Sequence, residues 1–312
     1  MSVVAADEIT DAAHRLRHFI RRTPLLGLNV PTPDGERQVQ FKLEQTQVGG
    51  SFKTRGILNM ALRARERGTL PPEGVVIASG GNAGIAAAVA GAKLDVPATV
   101  AVPHDSPPGK VNRLRALGAR VIDDISDHAE SNAWADEYAD RTGALRLHAY
   151  DDADVVAGAG TIMTEALNQH SQIDSVLLAV GGGGLVSGIT AAAPPGVTVV
   201  GVEPEGAPTL HAALAAGRPV PVEVDTIAQD SLGARTLGDV PWAICSTSGV
   251  QSVLVDDAAI IRARQWLWST CRLVVENAGA CALAALIEGV WTPPEGASPL
   301  IVICGANVDD PQ

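Results

Sequence analysis

One lysine, Lys53, sits in the run Gly49-Gly50-Ser51-Phe52-Lys53-Thr54-Arg55-Gly56, directly after the apolar stretch Val39 to Leu43. A lysine in a turn of small residues is ordinarily a solvated surface group. Placed after a strand, with glycines leaving room beside it, its amine becomes a candidate Schiff-base nucleophile, provided that partial burial lowers its pKa. Three further turns of small residues follow short apolar runs: Ser79-Gly80-Gly81-Asn82-Ala83-Gly84, Gly181 to Gly184, and Cys304-Gly305-Ala306-Asn307. In open α/β sheets, ligands lie outside the carboxyl ends of strands, where backbone amides and helix N-termini face a crevice. Four such turns on separate strands predict one shared site.

The elements that would position these turns can be read from periodicity. Ile9, Ala12, Ala13, Leu16, Phe19 and Ile20 recur at helical spacing, and Thr23-Pro24 is expected to end that helix. Next come a strand over Val39 to Leu43, the lysine turn, and a helix from Lys53 to Arg67. Strands at Val75 to Ala78, Ala98 to Val102, Arg120 to Ile122 and Leu145 to His148 alternate with helices over Ala83 to Leu94, Gly109 to Leu117 and Ser126 to Arg141. A second alternating block has a helix to Gln169, a strand over Ser175 to Val180, a helix to Ala193 and a strand over Val197 to Val202. Helices over Asp256 to Arg272 and Ala278 to Val290 precede a strand at Leu300 to Ile303. Alternation of this kind implies βαβ units and parallel sheets with right-handed crossovers. The stretch from Gly217 to Val250 reads as a long irregular loop over a site or an interface. No appendage is expected after Asn307.

Composition sets the bounds. The chain has 312 residues, 46% of them hydrophobic and only 3% aromatic, enough for a substantial core of helices on parallel sheets. A formal net charge of −12, with no basic run longer than Arg21-Arg22, argues against nucleic acid as a partner. Met1 to Thr10 lacks a basic start, and no apolar stretch reaches membrane-spanning length, so a cytoplasmic protein is expected. Cys245, Cys271, Cys281 and Cys304 show neither CxxC pairing nor histidines at ligand spacing, which speaks against a zinc site or a disulfide framework.

Together the four turns resemble, in order and spacing, the serine/threonine dehydratase branch of the fold type II (tryptophan-synthase-β-like) enzymes that use pyridoxal 5′-phosphate. The resemblance spans nearly the whole chain. It implies two three-layer αβα domains with parallel-rich sheets and the cofactor in the cleft between them: residues 1–73 with 150–312 as the larger, 74–149 as the smaller. It also implies a homodimer. Carried over by position, Lys53 would tether the cofactor and later remove the substrate α-proton, and Phe52 would pack on the pyridine ring. Gly181, Gly182, Gly183 and Gly184 would hold the phosphate through backbone amides. Asn82 would bond the phenolic oxygen, and Ser79, Gly80, Gly81 and Asn82 would hold the substrate carboxylate. Asn82 also reads as a helix N-cap, and both readings can hold. Cys304 would face the pyridine nitrogen; it reads equally as a core thiol. The implied reaction is dehydration of L-serine, L-threonine or a related β-hydroxy amino acid to a 2-oxo acid and ammonia.

The chain departs from the family pattern in places. Gly80 stands where serine racemases carry the serine that acts as second base, which argues against racemisation. Glu203-Pro204 matches the start of a divalent-metal site, but Thr209 replaces the aspartate that racemase-like members supply six residues on. Glu203 therefore reads as a metal ligand or simply as a strand-end carboxylate. Val275-Glu276-Asn277-Ala278-Gly279 keeps the family's glutamate in the cofactor site, with asparagine in place of the following proline. Ala83, where some relatives have histidine, leaves the preference among β-hydroxy amino acids open. Two alternatives remain: β-replacement of the cysteine-synthase kind, disfavoured because the asparagine loop lacks its threonine, and a catalytically silent cofactor-binding partner protein.

Overall fold

The computed structural model describes residues 4–308. Its strands form two sheets, built from β1 (Leu25–Thr32), β2 (Gly35–Lys42), β3 (Val75–Ala78), β4 (Ala98–Pro103), β5 (Arg120–Ile125), β6 (Leu145–Arg146), β7 (Ser175–Ala179), β8 (Thr198–Pro204), β9 (Gln251–Val255) and β10 (Pro299–Val302). The six-stranded sheet runs β1-β2-β10-β7-β8-β9 and is parallel except for the β1–β2 hairpin. The four-stranded sheet, β5-β4-β3-β6, is parallel throughout. The expected fold class is the observed one.

Each sheet has its own core. Successive side chains of a strand point to opposite faces, and β3 shows the result. Val75 and Ile77 enter a cluster with Ile57, Leu58 and the alanine-rich helix Asn82–Leu94, whereas Val76 and Ala78 pack on Trp134 and Tyr138 of helix His128–Thr142. The small sheet is thus covered on both faces. The larger core gathers Phe41, Val176, Leu177, Val200 and Ile301 of the big sheet with the buried residues of helix Asn277–Ile287, among them Cys281 and Leu286.

Four local features differ from the sequence reading. The first helix, Ala6–Leu16, stops before Phe19 and Ile20, which turn to pack on the small-sheet core instead. The β1–β2 hairpin was not expected, although Pro33-Asp34-Gly35 at its tip is a turn signal and Gly35 has φ +109°. Helix Thr209–Ala216 and β9 were likewise not expected. The stretch after Gly217 holds two short helices, Gln229–Leu232 and Asp239–Cys245. Among the described residues, no helix is long and apolar enough to cross a membrane; residues 1–3 and 309–312 lie outside the described residues.

Candidate active site

The lysine turn is clamped to the end of β10. Phe52 N–H donates to the Cys304 carbonyl at 2.9 Å, and Ser51 forms a bridge with Gly305. Gly49 and Gly50 have φ of +81° and +77°, and a Cβ on Gly50 would lie 2.3 Å from Asn307 Oδ1, so this turn requires glycine. Lys53 then opens helix Lys53–Glu66 with its side chain turned inward. Its Nζ donates to the Ala149 carbonyl at 2.8 Å and lies 5.1 Å from the Phe52 ring centroid and 5.9 Å from that of Tyr150. Burial drives its pKa down to about 8, against the opposing pull of Cys304 and Glu276. This is the tuning that an amine nucleophile needs.

The rest of the Lys53 motif serves the scaffold. Arg55 is 1% exposed and fully surrounded by partners. Its Nε and Nη2 each bond the Glu44 carboxylate at 2.8 Å, and Nη2 reaches Glu165 at 3.0 Å. Lys42 Nζ adds a bond to Glu165 at 2.5 Å. A Cβ on Gly56 would come within 2.6 Å of the Val155 carbonyl, and one on Gly158 within 2.5 Å of the Arg55 carbonyl. The helices Lys53–Glu66 and Ala153–Gln169 therefore cross backbone to backbone, held by a buried ion cluster.

A cavity of about 420 Å³ brings together Phe52, Lys53, Asn82, Gly181, Gly182, Gly183, Gly184, Glu276 and Cys304, from five separate stretches of chain. The glycines link β7 to helix Gly184–Ala192, whose opening N–H groups have no intrahelical acceptor. Side chains here would collide with protein. A Cβ on Gly182 would sit 2.4 Å from the Tyr150 ring, and one on Gly183, at φ +94°, 2.5 Å from Leu237 Cδ1. The irregular stretch thus closes over the glycine turn, with Gly238 N–H donating to the Gly182 carbonyl at 3.1 Å.

Asn82 does not cap its helix with its side chain; Gly81 holds the cap position. Instead its Nδ2 donates to Glu276 Oε1 at 2.8 Å, and its Oδ1 accepts from Asn307 Nδ2 at 2.6 Å. Asn307 also donates to the Gly49 carbonyl at 2.8 Å, joining three of the turns. Glu276 is buried, which raises its pKa against the hydrogen bonds from Asn82 and Ser231. Cys304 is buried too, and its thiol is pushed well above the usual range, hence protonated and neutral.

An adjoining chamber of about 320 Å³ shares Asn82, Ser231 and Glu276 and is lined also by Gly80, Gly81, Lys110 and Asp230. Lys110 and Asp230 pair at 2.8 Å across it. Ser79 lines neither space; its Oγ accepts from Gly81 N–H at 3.4 Å. Glu203 lies apart from both, 0% exposed at the end of β8. Burial pushes its carboxyl up to about 7 despite bonds from Leu210 N–H at 2.7 Å, His211 N–H at 2.9 Å and Ser252 Oγ at 2.9 Å. Tyr150, Ser231 and Asn307 are the site residues that sequence reasoning missed. Asn307 stood inside the Cys304 run, where only its neighbours drew attention, while Tyr150 and Ser231 follow no glycine turn.

This architecture has close counterparts. An L-threonine ammonia-lyase of Thermotoga maritima is 32% identical over 310 residues, covering 98% of this chain and 76% of the relative. A serine racemase of Arabidopsis thaliana is 31% identical, covering 98% and 94%. The solved structure of a T.th. threonine deaminase superposes with a TM-score of 0.89 at 31% identity, over 98% of this chain and 99% of that one. The residues present fit pyridoxal phosphate: a desolvated amine for its aldehyde, a glycine turn at a helix N-terminus for its phosphate, and a neutral thiol at the cavity wall. The family model of the pyridoxal-phosphate dependent enzymes matches residues 16–305, and with that cavity at its centre the chain belongs to this family.

Proposed function

We propose that the protein dehydrates and deaminates L-threonine, L-serine or a related β-hydroxy amino acid to a 2-oxo acid and ammonia. The observation that carries this reading is the single cavity joining the Lys53 amine, the tetraglycine turn, Asn82 and the neutral Cys304 thiol. The relatives named as threonine ammonia-lyase and threonine deaminase support it. Bound pyridoxal phosphate supplies an aldehyde to link amines and a ring that withdraws electrons from the substrate α-carbon.

The chain's own residues do the rest. Lys53 would tether the cofactor through its amine, and the same amine, when free, would serve as general base toward the substrate α-proton. The tetraglycine N–H groups bind the phosphate. Asn82, fixed between Glu276 and Asn307, holds the phenolic oxygen, and the loop from Ser79 to Asn82 receives the substrate carboxylate. Phe52 would pack against the cofactor ring, and Cys304 would present a protonated thiol, a group without counter-charge, to the ring nitrogen. Gly80 carries no proton for the opposite face of the substrate, so elimination outruns racemisation. We read residues 1–73 with 150–312 and 74–149 as two domains, supported by the confinement of β3 to β6 to the latter.

The test is a panel of L-serine, L-threonine, their D-isomers and bulkier β-hydroxy amino acids, with 2-oxo acid release and substrate enantiomer both measured. Release from an L-isomer with little D-isomer formed is the expected result. No release from any of them, or D-isomer as the main product, overturns the reading.

Lysine charge sets a second expectation. Because the amine titrates near about 8, below the ordinary 10.5, capture of added pyridoxal phosphate by cofactor-free protein speeds up about tenfold per pH unit below that point and levels off above it. Absorbance stopped-flow across pH reads this directly. A profile still rising beyond pH 10 would mean an unperturbed lysine.

The same reading includes a cytoplasmic homodimer. Ile261 and Trp268, 43% and 47% exposed on helix Asp257–Cys271, support an apolar contact face. Light scattering that finds a monomer at micromolar concentration removes the dimer.

A further inference from the structure

We propose that Thr209 is a positioning residue for the tetraglycine turn, and that with Glu203 it forms a hydrogen-bonded strut where the family resemblance would place a divalent cation, so that this protein's cofactor cradle works without one. Thr209 is the first residue of helix Thr209–Ala216 and is 0% exposed. Its Oγ1 donates to the Gly181 carbonyl at 2.5 Å and lies 3.2 Å from Glu203 Oε1. The hydroxyl has one proton, and its short bond spends that proton on Gly181. Pinning the Gly181 carbonyl fixes the Gly181–Gly182 peptide plane, and with it where the Gly182 N–H at the start of the turn points. Leu232 bears on Gly181 from another direction, 3.3 Å from where a Cβ would stand.

The donor set does not suit a hard cation. Glu203 Oε1 faces Thr209 and the Leu210 N–H, and Oε2 takes the His211 N–H and the Ser252 hydroxyl. With the Thr209 proton on Gly181, three of these contacts are donations to the carboxyl group, and the fourth sets the Thr209 hydroxyl oxygen beside Oε1. Calcium and magnesium need six or more oxygens, most of them anionic, carbonyl or water. Among the described residues, no group of three or more His, Cys, Asp and Glu could hold a metal ion. The aspartate that would have made an acid pair with Glu203 is here a threonine, and its hydroxyl reaches the glycine turn itself.

This inference rests on the tetraglycine turn being the phosphate cradle, so its test reads cofactor retention, not turnover. Pyridoxal phosphate affinity and the thermal midpoint are measured for the native protein with EDTA and with millimolar magnesium, calcium or manganese. The same is done for Thr209→Val and Thr209→Ser. We expect the native protein to respond less than twofold to chelator or metal. Thr209→Val, which keeps the shape but loses the donor, should hold cofactor about five- to tenfold more weakly, and Thr209→Ser should restore it to within about twofold. Native protein that loses cofactor in EDTA and regains it with a divalent ion overturns the strut, as does a Thr209→Val variant that binds normally. Cofactor retention that follows this pattern without any 2-oxo acid release would leave the strut standing and remove the dehydratase reading. Native protein that takes up no cofactor removes both.

Discussion

Lys53→Ala should be colourless after incubation with pyridoxal phosphate, and its release of 2-oxo acid should fall by at least about 10³-fold, because tether and base are lost together. Few other groups can substitute for it. The other buried lysine, Lys42, is committed to Glu165, Gln169 and the Thr23 carbonyl at the far side of the ion cluster. Lys110 lines only the outer chamber and is paired with Asp230. The truncation removes one hydrogen bond, to Ala149, and leaves the helix start otherwise intact, so the thermal midpoint should move little. Absorbance, turnover and melting measured on one preparation separate a chemical loss from an unfolded protein. A variant still yellow and active would overturn the assignment of Lys53.

Arg55→Ala should produce the largest loss of stability, about 3–5 kcal/mol, because it leaves Glu44 buried without a counter-charge and opens space between two closely crossed helices. The midpoint of denaturant unfolding reads this. A shift under about 1 kcal/mol would mean that water or rearranged side chains compensate for the missing guanidinium. The same cluster has an acid dependence with a defined sign. Burial alone would raise the Glu165 carboxyl, but Arg55 and Lys42 more than offset this and hold it below the usual carboxylate range. Its contribution is therefore present above the unfolded-state value and is lost as pH falls through the lower folded-state value. In Arg55→Ala, that part of the acid sensitivity should weaken. Since Arg55 lies two residues from Lys53 on the same helix, surviving native-like protein should also hold its cofactor less firmly.

Much of the fold was legible because parallel sheets buried on both faces write long apolar runs, as at Val75 to Ala78 and Leu300 to Ile303, and the helices between them write their own period. What escaped was local structure that borrows its stability from elsewhere. β1, with Gly27 and Pro31 inside it, has weak strand propensity and exists because all eight of its residues pair with β2. Phe19 and Ile20 fit the helical period but found a better burial beside Ile57 and Leu58, off the helix end. β9 is a short run whose partner, β8, lies nearly fifty residues earlier, a pairing that no local window contains.

The site divides along the same line. Residue types and order in the four turns by themselves determined which groups could meet: an amine for an aldehyde, glycines where a side chain would block an anion, a thiol at a strand end. Those properties belong to single residues and to the strand, turn and helix units around them, so they survive being written in one dimension. Only the tertiary structure decided how the groups are tuned and held. Lys53 titrates near about 8 because chain from distant segments buries it. Asn82 faces Glu276 and Asn307, 194 and 225 residues away, instead of capping its own helix. Thr209, which the sequence marks only as a missing aspartate, reaches the Gly181 carbonyl 28 residues back. Burial and hydrogen-bond partnership are relations between segments, set when two sheets and their covering helices pack, and no single stretch of chain contains them.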